Sequence, residues 1–427
     1  MKRLSKIAES YIYDYLLALV LLMPLHAFVV VSLGHMLGHQ ALLQAWKEAG
    51  LVVGAIAASL LILTRKQSRG QLILQPAVWS ASAFCLLALI ISATQHRVNF
   101  ASFLLGAKTT LGFLVVFIII QTAQFSRNRW NVLIKSLLTI SSAVGIFAVA
   151  QVYLLPADWL TRFGYGAATI LPFHLVDPAV SSIRIIATFS GPNQLGSFMV
   201  IPFILSLWLL LRKQWPAAVS LALTGFALFH SYSRSAWIGA LLASFIVVFI
   251  RLKGWWKLSL IVPVLALYIV ASSLSGPVRT MSTKLTFYVF HGQFIDGHTN
   301  GSDSNRLANA RYGLTRIQQQ PIGYGLGTAG PASKNTSQPI ITENSYLQIA
   351  IEAGVIGLSL FVLTLGLSLI ALRRHFAIVE ESAALFAMLI GLCATNLFLH
   401  TWSDSATALV LWGLMGYCLT APLKERA

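Results

Sequence analysis

Long apolar stretches separated by short polar connections run along almost the whole chain, from near Tyr15 to Thr420. A helix needs about 20 apolar residues to cross the ~30 Å hydrocarbon core of a bilayer, and most of these stretches have roughly that length. These lengths suit helices better than the strands of a barrel. The pattern predicts about twelve spans, near residues 13–34, 49–64, 75–93, 102–122, 136–155, 194–211, 216–231, 234–250, 258–275, 344–371, 384–401 and 404–421.

The predicted fold class is therefore all-α, a polytopic membrane protein of about 12 transmembrane helices. Two connections are long, at residues 156–193 and 276–343, and the second separates spans nine and ten. We find no internal repeat of the kind that marks inverted-repeat transporters. We find no separate soluble segment either, so residues 1–427 are treated as a single integral membrane domain.

The positive charges mark one side of this bundle. More than half of the 30 Lys and Arg residues precede the first span or follow an even-numbered one. Short connections rich in Lys and Arg stay cytoplasmic, so we predict that both termini are cytoplasmic and that the long connections face the exterior. The net charge of +17 is spread over these connections. The membrane topology accounts for this positive charge, so we expect no nucleic-acid partner.

The second long connection contains one predicted helix. Ser304 or Asn305 can cap its start, and Pro321 ends it. We expect this helix to lie on the outer membrane surface and to lead into a turn at residues 323–327, where three glycines occur in five positions.

Four arginines on the predicted external side are candidates for binding an anion. Arg306 falls in the first turn of the predicted helix, where a cation is disfavoured unless an anion binds there too. Arg184 leads into the sixth span, and Arg234 lies in a very tight connection. Arg311 is a further candidate for substrate or headgroup contact. The alternative for each is a solvated or snorkelling arginine.

The tenth span supplies the candidate carboxylates. Glu343 and Asn344 lie at its start, where a carboxylate suits the helix dipole and could also act as a general base. Glu352 lies roughly 13 Å deeper along the helix. Lys108 occupies a similar place in the fourth span, and ionisable groups at such depth are functional candidates. A buried hydrogen bond between helices is the alternative for Glu352.

Nothing in the sequence predicts a metal or a cofactor. The three cysteines lie inside apolar spans, where they are expected to be small buried side chains. His400 and Asp404 flank the last external connection, and we expect a simple polar turn there. External arginines with one external carboxylate suggest a site for a large anionic, lipid-linked substrate.

Four motifs follow one another in an order that is more specific than any one of them. They are the Arg-x-x-x-Thr-Phe-x-x-Pro-Asn run from Arg184, Ser-Arg-Ser-Ala-Trp at 233–237, Ser-x-Arg followed by Gly-x-Gly within 304–327, and Glu-Asn-Ser-Tyr-Leu with Glu-x-Gly within 343–354. With these motifs the chain resembles the O-antigen ligase and O-antigen polymerase superfamily of bacterial membrane glycosyltransferases. The likeness is most specific over residues 217–365, the ligase/polymerase-type core.

The resemblance implies metal-independent transfer of a glycan from undecaprenyl diphosphate to an acceptor hydroxyl at the outer face of the bacterial plasma membrane. The acceptor would be lipid A-core or another glycan or protein. The resemblance also implies contact with membrane lipids and no cofactor. Arg184 and Arg306 match the arginines thought to bind the donor diphosphate in the ligases. Glu343 stands where the ligases carry a histidine. This departure leaves room for an O-antigen or exopolysaccharide polymerase.

Two other classes of protein remain open on the sequence. A lipid-linked sugar transporter or flippase would use the membrane-embedded charges of Lys108 and Glu352. A membrane scaffold would tolerate loss of the arginines. A cavity at one end of the bundle favours transfer, whereas two related halves favour transport.

Overall fold

The computed structural model describes residues 2–73, 75–95, 97–177, 180–252, 301–336 and 339–422. The described part consists mostly of helices and contains one two-stranded hairpin. The α-helices are α1 Lys2–Leu22, α2 His26–Leu37, α3 Gln40–Thr64, α4 Lys66–Ile73, α5 Pro76–Gln95, α6 Phe100–Ile120, α7 Arg127–Tyr153, α8 Pro192–Leu211, α9 Ala217–His230, α10 Arg234–Arg251, α11 Gly301–Gln319, α12 Ser345–Arg374, α13 Ser382–Thr395 and α14 Ser405–Cys418.

The predicted membrane architecture is confirmed at the level of an all-α, multi-spanning chain. Among the described residues, 8 helical segments are long and apolar enough to cross a membrane, and α9, α13 and α14 are shorter apolar helices. These helices coincide with the predicted spans except the ninth, because residues 258–275 lie outside the described part of the chain. The count of twelve spans therefore stays a prediction.

The first span differs from its prediction in extent. Helix α1 begins at Lys2, and α1 and α2 join through a 3-10 turn, Met23–Leu25, with Pro24 near its start. The hydropathy pattern predicted only the apolar residues from about position 13 onward. The polar start of α1 is stabilised by ion pairs. Glu9 accepts a hydrogen bond from Arg65 and lies 3.9 Å from a guanidinium nitrogen of Arg129.

The first long connection, residues 156–193, contains a hairpin that the sequence pattern did not reveal. Strands β1 His174–Asp177 and β2 Val180–Arg184 pair antiparallel, with His174 opposite Arg184. Strands of four and five residues are too short to show a clear period-two pattern. The hairpin leads directly into the Arg184 motif before α8.

Aromatic rings and small residues hold the bundle together. Trp412 of α14 packs on Phe117 and Phe113 of α6, with ring centroids 5.2 and 5.3 Å apart. Helices α10 and α13 cross at Gly239 and Gly391, so closely that a Cβ on either would collide with the backbone of the other. Small residues at helix crossings are typical of membrane bundles, where packing rather than the hydrophobic effect drives association.

Candidate functional site

The loop 321–327, which the charge pattern predicts to be external, is joined to a break in α12. Gly354 has a φ of 72°, so the helix is interrupted there. The loop takes up the freed backbone groups. The Tyr324 N–H donates to the Ile351 carbonyl at 2.8 Å, and the Val355 N–H donates to the Pro321 carbonyl at 2.9 Å. The glycine-rich turn that the sequence predicted is therefore part of the packed structure.

Glu352 is fully buried and ties three segments together. Its Oε2 accepts from Thr110 Oγ1 of α6 at 2.7 Å, and its Oε1 accepts from the Gly327 N–H at 2.9 Å. The backbone of Gly327 also lies so near Gly106 of α6 that a Cβ there would collide with it. These contacts correspond to the structural alternative for Glu352, a buried hydrogen bond between helices.

A cavity of about 570 Å³ opens at one end of the bundle. Typical small-molecule sites have about 300–1,000 Å³. Most of the lining residues lie in or near helix ends and connections that the charge pattern predicts to be external, and Met23, His26, Ala27 and Lys108 lie within predicted spans. Its polar lining comes from four regions of the chain, and the residues are His26, Gln40, Gln44, Lys47, Lys108, Thr169, Ser190, Asn193, Gln194, Ser197, His400, Thr401, Ser403, Asp404 and Ser405.

One wall of the cavity carries two ammonium groups that share one carboxylate. Lys108 Nζ lies 2.7 Å from Glu48 Oε1, and Lys47 Nζ lies 3.7 Å from the same oxygen. Lys47 Nζ also lies 2.8 Å from His26 Nε2. The side chain of Lys47 is only 5% exposed. The two ammonium groups outnumber the carboxylate of Glu48, and the charge of Asp404 in the same cavity also acts on Lys47. An incoming anion is attracted to these ammonium groups.

A second, neighbouring wall is the connection between α13 and α14, which is fixed to the start of α12. Ser345 Oγ donates to Asn396 Oδ1 at 2.6 Å and lies 3.1 Å from the Leu399 carbonyl. Asp404 caps α14, because its Oδ2 accepts from the Thr407 N–H at 3.1 Å and from Thr407 Oγ1 at 2.7 Å. The predicted polar turn is thus a rigid part of the cavity.

His400 is the unusual residue in this wall. Both ring nitrogens are buried, and neither has a hydrogen-bond partner among the described residues. Burial, together with the nearby charge of Lys334, lowers the pKa of His400 to about 4. The imidazole is therefore neutral at physiological pH and retains an unshared electron pair.

Glu343 and Asn344 lie at the start of α12, as predicted. Asn344 is the cap of this helix: its Oδ1 accepts from the N–H groups of Tyr346 and Leu347 at 2.9 and 3.0 Å. Its Nδ2 donates to the Leu397 carbonyl at 3.0 Å. Glu343 is half-buried and has a left-handed backbone, with a φ of 49°. Such a conformation is uncommon for a residue other than glycine and often marks a functional position.

The predicted arginines are distributed around the same end of the bundle. Arg184 reaches the cavity through Asn193, because its terminal nitrogen donates to Asn193 Oδ1 at 2.8 Å while its Nε donates to the Ser231 carbonyl at 3.0 Å. Arg234 is half-buried at the first position of α10, and Arg311 is exposed on α11. Helix α11 begins at Gly301 and not at Ser304 or Asn305, so the prediction that Arg306 lies in its first turn was wrong. The side chain of Arg306 lies outside the described residues.

Sequence reasoning identified Lys108 and missed Lys47. The predicted second span began at residue 49, so Lys47 and Glu48 were assigned to a connection. In the structure α3 begins at Gln40, and both residues are helical. The missed signal was the helix-forming run from Gln40 that continues the apolar stretch.

Comparison with known proteins finds a family domain in the part of the chain that carries Arg234, Arg311, Glu343 and Glu352, whereas nearly all of the cavity lining lies outside the matched residues. Residues 219–362 match the family model described as O-Antigen ligase. The matched range includes α9, α10, α11, the loop 321–327 and the broken part of α12. No curated protein matches the chain. The family implies a ligase-type or polymerase-type glycosyl transfer, and the match supports membership of the chain in the O-antigen ligase superfamily.

Proposed function

We propose that this protein transfers a glycan from undecaprenyl diphosphate to an acceptor hydroxyl at the outer face of the bacterial plasma membrane. The observation that carries the proposal is the cavity at one end of the bundle, with two lysines sharing one carboxylate. A diphosphate is the anionic part of a lipid-linked glycan. The O-antigen ligase match supports a substrate of this class.

The donor diphosphate binds the cationic wall. Lys47 and Lys108 contact its oxygens, and Arg184 acts through Asn193 on the neighbouring part of the cavity. Arg306 of α11 is proposed as a further cation for the diphosphate. Charge-assisted hydrogen bonds of this kind are strong, and they stabilise the negative charge that develops on the leaving diphosphate. The reaction uses this neutralisation in place of a metal ion.

The acceptor binds beside the start of α12. Glu343 orients or deprotonates the acceptor hydroxyl, and Asn344 fixes the backbone that presents Glu343. The hydroxyl oxygen attacks the anomeric carbon, the bond from that carbon to the diphosphate oxygen breaks, and undecaprenyl diphosphate leaves with inversion. Arg234 and Arg311 are proposed to contact the glycan or the headgroups around it.

The contacts of Lys108 and Glu352 favour this proposal over a transporter. The ammonium of Lys108 is paired with Glu48, and Glu352 is engaged by Thr110 and Gly327. A transport pathway would need such groups to be free to exchange partners on each cycle. Here they hold the cavity wall and the loop in place.

Transfer can be tested with the purified chain in detergent. The donor is a defined oligosaccharide on undecaprenyl diphosphate, the added acceptor is lipid A-core, and products are resolved by size. One glycan moved intact to lipid A-core means a ligase. A ladder of lengthening glycans on the lipid carrier means a polymerase, in which a second donor molecule is the acceptor. Absence of both products contradicts the proposed function.

A further inference from the structure

His400 has the properties of a group that waits for a hydrogen-bond partner. Its ring belongs to the cavity lining, and both nitrogens are buried without a partner among the described residues. An unsatisfied buried nitrogen costs free energy, so such groups are rare unless a ligand or a reacting group completes them. A packing role alone would be served as well by an apolar side chain.

The backbone around His400 is held rigidly. The His400 carbonyl accepts from the Ser403 N–H at 3.1 Å, and Ser403 Oγ lies 3.2 Å from Gln348 Oε1 of α12. The preceding residue, Leu399, accepts from Ser345 at the start of α12. His400 is therefore fixed next to the helix start that carries Glu343, on the cavity side.

The charges around His400 favour its neutral form. Lys334 is the cation whose field acts on the ring, and Lys47 and Lys108 occupy the cationic wall of the same cavity. Asp404, the acid in the same wall, is held by its two hydrogen bonds to Thr407. A neutral imidazole is able to accept a proton, whereas an imidazolium is not.

We propose that His400 is a catalytic residue of the transfer, the base that accepts the proton of the acceptor hydroxyl. This inference rests on the proposed function. The hydroxyl oxygen forms the bond to the anomeric carbon, and its proton moves to a His400 ring nitrogen. The bond from the anomeric carbon to the diphosphate breaks, and its electron pair stays on the leaving diphosphate. The proton then passes from His400 to solvent, and Glu343 orients the acceptor.

The test compares H400A with the wild-type chain in single-turnover transfer at saturating donor. A general base contributes typically about 10²–10⁴-fold to the rate, so we expect a loss of that order. Donor affinity should stay at the wild-type value, because the proposal assigns the diphosphate to Lys47 and Lys108 and the acceptor hydroxyl to His400. Added imidazole should restore part of the rate, since it can enter the space left by the ring.

H400Q keeps a hydrogen-bonding group of similar size but cannot take a proton, so it should be as slow as H400A. The matched control is H39A, because His39 is exposed and its side chain does not cap α3. It should transfer at the wild-type rate. Thermal unfolding of each variant separates loss of folding from loss of chemistry.

The outcomes separate the two proposals. Wild-type turnover in H400A or H400Q, or a loss in H400A that imidazole does not reverse, overturns the role of His400 and leaves the proposed function intact. Absence of transfer by the wild-type chain overturns both. A slow, folded, imidazole-responsive H400A supports His400 as the base.

Discussion

Lys47 shows how a residue outside the sequence-derived candidates can dominate a site. It is 5% exposed, its Nζ contacts His26, and it shares Glu48 with Lys108. In K47M the chain keeps most of the side-chain volume and loses the charge. A hydrogen bond to a charged group contributes about 1.5–3 kcal/mol, so donor affinity should fall about tenfold or more.

Donor affinity of K47M can be measured by titrating the purified variant with the lipid-linked oligosaccharide. The matched control is K66M, because Lys66 is an exposed lysine on α4 at the opposite end of the bundle. It should bind as the wild type does. Equal affinity in K47M and K66M would exclude Lys47 from the donor site.

Loss of Arg306 in α11 is also expected to weaken donor binding. R306A should weaken donor binding by about tenfold, because a guanidinium pairs with a diphosphate through charge-assisted hydrogen bonds. R374A is the control, since Arg374 is exposed at the opposite end of α12. If R306A keeps full transfer at both limiting and saturating donor, its proposed role must be abandoned.

Glu343 is expected to affect turnover more than donor binding. In E343Q the side chain keeps its size but orients the acceptor hydroxyl less strongly, and turnover should fall on the order of tenfold to a hundredfold. The rate at saturating donor measures the effect on turnover, and a separate titration measures the effect on donor affinity. The control is E380Q, because Glu380 pairs with Arg212 at the other end of the bundle and should not affect turnover. Unchanged turnover in E343Q would remove the assignment.

At the scale of elements, the broken helix α12 is the most consequential feature. Gly354 has a φ of 72°, and a Cβ there would collide with the carbonyl of Ile322. In G354A the loop 321–327 must move away from the helix, which should cost about 1–3 kcal/mol and lower the unfolding temperature. Transfer should fall as well, because the loop is joined through Glu352 to α6.

Helix α12 also contains the matched control for this change. A Cβ on Gly366 would meet no heavy atom within 4 Å, and the φ of this glycine is not positive. G366A should unfold at or slightly above the wild-type temperature, since alanine is the better helix former by roughly 0.5–1 kcal/mol. Thermal unfolding of both variants in one detergent is the measurement. Similar unfolding temperatures for the two would show that the break is not under steric constraint.

At the scale of the whole molecule, the orientation in the membrane decides whether the cavity can meet its substrates. The charge pattern predicts that His39 lies on the external side and Gln214 on the cytoplasmic side. Both residues are exposed in short connections. In intact spheroplasts a membrane-impermeant maleimide should label H39C, and it should label Q214C only after permeabilisation. Labelling in the reverse order would place the cavity on the cytoplasmic side.

Much of the architecture was predictable because transfer of a helix into a bilayer depends on its own composition. The apolar spans, the presence of α11 and the turn at residues 323–327 follow from local patterns, but α11 begins at Gly301 and not at the predicted cap, Ser304 or Asn305. The start of α3 was placed too late, because Lys47 and Glu48 interrupt the hydropathy there. The hairpin β1–β2 was missed because its strands are too short for a periodic signal.

The sequence by itself determined the class of protein, most of its apolar spans and the family resemblance that residues 219–362 support, while the side on which its basic connections lie stays a prediction. Only the tertiary structure decided which polar residues meet. Lys47, Lys108 and His400 come from three distant segments and line one cavity, while Glu352 bonds to Thr110 and Gly327 away from it. Local composition governs insertion into a bilayer, whereas a site depends on packing between helices that are far apart in the chain.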